Sequence, residues 1–60
     1  MIKIPKQYKD NARLINAYND GYKMGYNDDR HPVHVRDDAE RLAHQRGWTD
    51  GHEAREREAG

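Results

Sequence analysis

A pattern of small and ring-bearing residues occurs twice along the chain and dominates its hydrophobic and polar positions. It first covers residues 17–26 and returns over residues 43–52. In each copy a small residue recurs at every fourth position, and a ring-bearing residue follows each small residue. Self-similarity at a fixed distance indicates a repeated architecture. Because residues four apart lie on one face of a helix, each copy predicts a helix with a smooth ridge beside a ridge of rings.

The small residues predict that the two helices pack closely against each other. Glycine inside a helix costs ~1 kcal/mol relative to alanine, so four glycines in this pattern indicate a close backbone approach. Small residues at this spacing let the ridges of two helices interdigitate. We therefore predict an all-α fold, a two-helix hairpin packed through Ala17, Gly21, Gly25, Ala43, Gly47 and Gly51, with Ala39 extending the second ridge.

Turns are the alternative interpretation of the same residues. Asp20-Gly21 and Asp50-Gly51 are dipeptides that favour turns. However, the alternating β-branched runs that would form strands on either side of a turn do not flank these dipeptides. The helical interpretation is therefore preferred.

The chain divides into four predicted segments: a basic arm (1–9), a first helix (10–27), a linker (28–36) and a second helix (37–58). Asp10 or Asn11 can accept hydrogen bonds from the first free amides of the first helix. Pro32 stops helical structure, because the residue before a proline is pushed towards an extended conformation. The second helix is expected to start at Asp37 or Asp38, whose charge suits a helix N-terminus.

The segments outside the helices carry further expectations. Residues 1–9 form a strand, an extended tail or a lead-in to the helix, and a frayed terminus is preferred. The functional alternative is a basic arm that reaches a phosphate backbone or an acidic partner. Asn27 is expected to end the first helix, since asparagine tolerates the left-handed conformation found there. Val33 and Val35 are expected to cover the open end of the helix pair.

Composition indicates one small domain that needs additional stabilisation. The chain has 60 residues, of which 33% are hydrophobic and 37% charged, with no net charge and no cysteine. Disulfides and thiolate metal sites are therefore excluded, and so short a chain is marginally stable alone. A partner protein or a homodimer that forms a four-helix bundle would supply the missing burial. No apolar run is long enough to cross a bilayer, so we expect a cytoplasmic protein without a membrane contact.

Motifs for catalysis, cofactors or metals are not found. His31 and His34 have a ligand-like spacing, but Pro32 separates them and no cysteine completes a set. His44 and His52 lie eight residues apart on the second helix, about 12 Å by helical rise, which is too far to share one ion. The chain contains no serine for a nucleophilic triad. We therefore expect a protein that is not an enzyme and holds no cofactor or metal.

A binding surface is the remaining functional possibility. The large rings belong either to the core, since aromatic residues dominate burial, or to a surface that stacks on bases or anchors a protein interface. The arginines are either ordinary solvated charges or contacts for phosphate and carboxylate groups. The candidate partner-binding residues are Arg13, Tyr18, Tyr22, Tyr26, Arg41, Arg46 and Trp48.

The order of the motifs resembles a known family. The motifs are Ala17-x-x-x-Gly21-Tyr22-x-x-Gly25, then Pro32, then Trp48-x-x-Gly51 followed by Glu53-Ala54. Over about residues 12–57 the chain resembles the ribosome modulation factor family of small bacterial proteins. The resemblance implies two helices joined by a linker that bind the small ribosomal subunit or its RNA. The family is strongly basic, whereas this chain is neutral.

Two functions are therefore expected from the sequence. The first is a ribosome modulation factor-like module that contacts the ribosome or its RNA and modulates translation. Neutral charge weakens this expectation, because binding to phosphate is largely electrostatic. The second is a small protein-binding regulator, such as a phage-encoded inhibitor of a host protein complex.

Overall fold

In the part of the chain that the structure describes, two long helices follow one short helical turn. The computed structural model describes residues 4–30 and 36–59. A 3-10 helix, Lys6–Tyr8, leads into helix α1, Ala12–Tyr26, and helix α2 spans Asp38–Ala59. Each helix boundary lies within two residues of the predicted one, and both Asp-Gly dipeptides lie inside helices. The described residues contain no strand, so the all-α prediction is confirmed.

Both helices begin with a side-chain cap at the same position of the repeat. The Asn11 Oδ1 atom accepts hydrogen bonds from the amides of Arg13 and Leu14, at 3.1 and 3.4 Å. The Asp37 carboxylate accepts the amide of Ala39 at 2.8 Å. These bonds satisfy amides that have no partner within the helix. The two caps are 26 residues apart, as are the two copies of the pattern, so the repeat includes the helix starts.

Helix α1 ends in a turn that satisfies two of its last carbonyl groups. The Asp29 amide donates to the Met24 carbonyl at 2.7 Å, and the Asp28 amide donates to the Gly25 carbonyl at 3.1 Å. This is the Schellman arrangement, which needs a left-handed residue just after the helix. That residue is Asp28, with φ of 54°, whereas Asn27 keeps a φ of −92°. The left-handed position therefore lies one residue later than the sequence suggested.

The two helices run in the same direction along their contact. A Cβ atom added to Gly21 would lie 2.0 Å from the carbonyl oxygen of His44, and one added to Gly25 would lie 1.9 Å from that of Trp48. Residue numbers thus rise together on α1 and α2. A helical hairpin usually has antiparallel helices. Here the helices are parallel, so the C-terminus of α1 and the N-terminus of α2 lie at opposite ends of the pair.

The second pair of glycines repeats these contacts from the opposite helix. A Cβ atom added to Gly47 or to Gly51 would lie 2.1 Å from the carbonyl oxygen of Tyr18 or of Tyr22, respectively. A carbon–carbon bond is about 1.5 Å long, so each glycine Cα lies at most about 3.6 Å from that oxygen, in range of a Cα–H···O contact. The prediction of packing through the Ala/Gly ridges is confirmed, and Ala43 between the helices is fully buried.

The four glycine contacts relate the two repeats by approximate twofold symmetry. We call two residues counterparts when they are 26 positions apart. Gly21 contacts His44, and its counterpart Gly47 contacts Tyr18, which is the counterpart of His44. The helix pair therefore has two equivalent faces. Ala39 is exposed, so the small ridge of α2 begins one turn later than predicted.

One face carries the tyrosines of α1, and we call it the tyrosine face. Among the described residues, the hydrophobic core consists of Tyr8, Tyr18 and Ala43. The Tyr8 amide donates to the Pro5 carbonyl at 3.0 Å, and this turn places the Tyr8 ring 5.9 Å from the Tyr18 ring. Ile4 packs against the same core. The described part of the arm is therefore folded onto the helices, where the sequence favoured a frayed terminus.

Some sequence predictions concern residues outside the described ranges. They involve residues 1–3 of the predicted arm and a run in the linker: His31, Pro32, Val33, His34 and Val35.

Candidate partner-binding surfaces

The structure divides the predicted contact residues into buried, paired and available groups. Tyr18 is only 2% exposed, and its hydroxyl donates to the Asp50 carboxylate at 2.5 Å. Its ring is therefore part of the core and is not available to contact a partner. Arg46 pairs with Asp50 at 3.7 Å, and Arg41 pairs with Asp38 at 2.5 Å. Both arginines are exposed, but each has an acidic neighbour that reduces its attraction for phosphate.

Of the other tyrosines of α1, Tyr26 contacts α2, and Tyr22 packs on Tyr18. The Tyr26 hydroxyl donates to the Glu58 carboxylate. The Arg55 guanidinium donates to the Tyr26 carbonyl at 2.9 Å and lies 5.5 Å from the centre of the Tyr26 ring. The Tyr22 ring lies 6.2 Å from that of Tyr18. Tyr18 and Tyr26 therefore link the two helices, and Tyr22 and Tyr26 are only partly exposed.

The environment of Tyr18 predicts a late alkaline titration. Burial first, and then the hydrogen bond to Asp50, raise the pKa of Tyr18 well above its usual value. Because the folded state favours the neutral phenol, this stabilisation is present below about pH 10, the usual tyrosine pKa, and is lost as the pH rises further. We expect Tyr18 to ionise together with alkaline unfolding. Tyrosinate absorbance and far-ultraviolet circular dichroism, recorded in one titration, would measure both events.

A Tyr18→Phe variant provides the control for this titration. It should lose the last part of the tyrosinate signal and show a weaker link between ionisation and unfolding. If wild type and variant gave the same late absorbance change, Tyr18 would not be the protected group. The hydrogen bond to Glu58 also raises the pKa of Tyr26, but that side chain is at the surface and its ionisation should not unfold the chain.

Trp48 is held in a fixed orientation on the other face of the helix pair, which we call the Trp48 face. Its indole N–H donates to the carbonyl of Asp29 at 2.7 Å. The Arg30 guanidinium lies 5.4 Å from the centre of the ring, and the His52 ring stacks on it at 4.9 Å and 11°. The turn that ends α1 therefore positions Trp48, and the ring remains partly exposed.

A groove runs between α1 and α2 on the Trp48 face. One part has a volume of about 540 Å³, with Ala17, Met24 and His44 among its lining residues. A second part of about 260 Å³ continues it towards Trp48 and is also lined by Met24 and His44. His44 is 9% exposed and so forms the floor where the two parts join. The groove is open and has a mostly apolar lining.

The rim of the larger part of this groove carries balanced charge. Arg13 and Lys23 of α1 line it together with two acidic residues, Asp20 and Glu40. Within the part of the chain that the structure describes, none of these four side chains takes part in an ion pair. Arg13 is therefore the predicted contact residue that keeps an available charge, beside a mostly apolar groove lining.

Several residues of these surfaces escaped the sequence pattern. Asp20 and Met24 stand immediately before Gly21 and Gly25, so they lie on the side of the ridge opposite to the tyrosines. The repeat drew attention to the rings that follow the small residues. In the structure, residues that precede the small residues line the groove. Tyr8 was also missed as a core residue, because a short segment after a proline has no periodicity to indicate burial.

Other kinds of site are not evident in the described part of the chain. In residues 4–30 and 36–59, no group of three or more histidine, aspartate or glutamate side chains is placed to hold a metal ion. Neither α1 nor α2 is long and apolar enough to cross a membrane.

The comparisons with known proteins give no match. No family model matches the chain, and neither the curated proteins nor the solved structures that were searched contain a similar one. The resemblance to the ribosome modulation factor family therefore stays a prediction from the motifs in the sequence.

Proposed function

We propose that this chain is a small, non-enzymatic regulator that binds a segment of a partner protein in the groove of the Trp48 face. An inhibitor of a host protein complex, such as a phage-encoded one, is an example of this class. The observation that supports it best is the larger part of the groove, where a mostly apolar lining is bordered by two cations and two anions. None of these four side chains forms an ion pair with another described residue. Methionine, tryptophan and arginine are enriched in protein interfaces.

The charge balance favours a protein partner over a nucleic acid. Affinity for a phosphate backbone comes mainly from lysine and arginine contacts that release counterions. In the larger part of the groove, Asp20 and Glu40 offset Arg13 and Lys23. In the smaller part, Arg30 and Arg41 each pair with an aspartate, and the whole chain has no net charge. A peptide segment that carries both signs of charge matches such a rim better than RNA does.

A second function, contact with the RNA of the small ribosomal subunit, is supported by one observation on the tyrosine face. Lys6, Lys9 and Arg46 surround a depression of about 440 Å³, where Asp50 is the acidic residue. This local excess of positive charge is what the family resemblance leads us to expect for a module that modulates translation. Arg46 already pairs with Asp50, which reduces its attraction for phosphate, so we place this function second.

Charge reversals on the two faces separate these functions. Arg13→Glu alters the groove and Lys9→Glu alters the tyrosine face, while both change the net charge by the same amount. With tagged full-length protein and nuclease-treated lysate, we expect Arg13→Glu to reduce the retained partner protein at least about tenfold, since it reverses a charge in a complementary interface. Lys9→Glu should leave retention within about twofold. Circular dichroism would confirm that both variants are folded.

The opposite result would support the ribosomal function. It would consist of a partner that nuclease removes, a larger effect of Lys9→Glu, and co-sedimentation with small subunits that weakens steeply with salt. Equal retention by wild type and Arg13→Glu would exclude the groove as the protein-binding site.

A further inference from the structure

The groove of the Trp48 face has a counterpart on the tyrosine face, and the chain itself fills that counterpart. Tyr8 packs on Tyr18 there, with ring centres 5.9 Å apart, and Ile4 packs against the same cluster. The counterpart of Tyr18 is His44, which lines the open groove. Because the helices are related by approximate twofold symmetry, the filled site indicates what kind of segment the open site accepts.

From this equivalence we propose that the groove binds a short turn of a partner protein that presents one aromatic side chain next to a basic residue. The aromatic ring lies against His44 and Met24, as Tyr8 lies against Tyr18. This inference rests on the proposed function, since it names the chemistry of the segment that the groove holds. The N-terminal segment of this chain, with Tyr8 between Lys6 and Lys9, is an example of such a segment.

Charge complementarity favours a basic residue beside the aromatic ring. On the tyrosine face, Lys6 and Lys9 lie around the same depression as Arg46, where the like charges repel each other. The counterpart of Arg46 in the open groove is Asp20, and Glu40 stands nearby on α2. A segment of the same kind would therefore meet opposite charge in the groove.

The outer part of the rim adds a preference for an acidic residue at one end of the segment. Arg13 and Lys23 line the groove, whereas their counterparts on the tyrosine face are Ala39 and Thr49, which carry no charge. Arg13 and Lys23 are ten residues apart on α1, about 15 Å by helical rise, so a carboxylate that follows the basic residue would lie within reach of one of them. Asp10, which follows Lys9, gives the N-terminal segment this feature as well.

A synthetic peptide of residues 4–11 with blocked ends is a suitable probe, added to isotope-labelled full-length protein. We expect the chemical shifts of Ala17, Met24 and His44 to change with saturable dependence on peptide concentration. A peptide in which alanine replaces the tyrosine should bind at least about tenfold more weakly, because it lacks the anchoring ring.

A double-mutant cycle tests the charge contact separately. Glu40→Gln in the protein should weaken binding of the natural peptide about threefold or more. The same variant should have no effect on a peptide in which alanine replaces both lysines. An equal loss for the two peptides would overturn the assignment of Glu40 as the partner of the basic residue.

Three outcomes would overturn the proposed occupant. In the first, no saturable shift appears. In the second, shifts are confined to Tyr18, Arg46 and Asp50, because the peptide only replaces the attached N-terminal segment. In the third, light scattering at the same protein concentration shows a dimer, so that a second copy of this chain fills the groove. The capture experiment with Arg13→Glu is independent, so a peptide that fails while capture persists would leave the proposed function in place.

Discussion

Replacing Gly47 by alanine is expected to lower the free energy of unfolding by about 3 kcal/mol or more, as an unusually severe case of overpacking. The added Cβ would lie 2.1 Å from the carbonyl oxygen of Tyr18 and 2.9 Å from its carbonyl carbon. Both atoms belong to the backbone, so only a separation of the two helices can relieve the clash. In an ordinary helix the same change would stabilise by ~1 kcal/mol, and the expected sign is therefore reversed.

Thermal and urea unfolding, followed by circular dichroism, would measure this effect. Thr49→Ala is a matched control, because Thr49 is an exposed residue of the same helix and alanine has the better helix propensity. The control should melt at or slightly above the wild-type temperature. In a domain of this size each kcal/mol corresponds to about 4–8 °C, so a Gly47→Ala variant that melts like wild type would contradict the close backbone contact.

Replacing Tyr18 by alanine is expected to cost about 3–5 kcal/mol, the usual range for deletion of a buried aromatic ring. Tyr18 is the one large side chain that is fully buried among the described residues, and the rings of Tyr8 and Tyr22 both pack on it. Tyr18→Phe keeps the ring and removes only the bond to Asp50. We expect that change to cost about 1–2 kcal/mol, since Asp50 keeps Arg46 as a partner.

Leu42→Ala is the control for the loss of an apolar side chain. Leu42 is 61% exposed, so its removal should change the free energy of unfolding by at most about 0.5 kcal/mol. Urea unfolding of the three variants should therefore place Tyr18→Ala lowest, Tyr18→Phe between, and Leu42→Ala beside wild type. A large effect of Leu42→Ala combined with a small effect of Tyr18→Ala would mean that the apolar core lies elsewhere.

The helices and their packing surface could be predicted because they depend on local spacing. Small residues at every fourth position indicate both a helix and the side that faces another helix. Residue type located the caps to within one position, because asparagine and aspartate favour helix starts. The structure selects Asn11 and Asp37 from the pairs that the sequence left open. These features need no knowledge of which residues meet across the interface.

The direction of the helices and the location of the groove could not be predicted in this way. A ridge with four-residue spacing looks the same to a parallel and to an antiparallel neighbour. Tyr18 is a core residue partly because the Tyr8 ring packs on it. Tyr8 belongs to a segment without periodicity, so this contact could not be predicted. The groove depended on which side of each ridge the chain itself had filled, and that is a property of the assembled pair.

The parallel arrangement of α1 and α2 has a consequence for the rate at which the chain folds. The contacts between the helices join residues that are far apart in sequence, from 23 positions for Gly21 and His44 to 32 for Tyr26 and Glu58. An antiparallel pair can begin at the connecting turn and extend one helical turn at a time, whereas this chain must first close a long loop. Because folding slows as the mean separation of contacting residues increases, we expect slower folding than in antiparallel helix pairs of similar length.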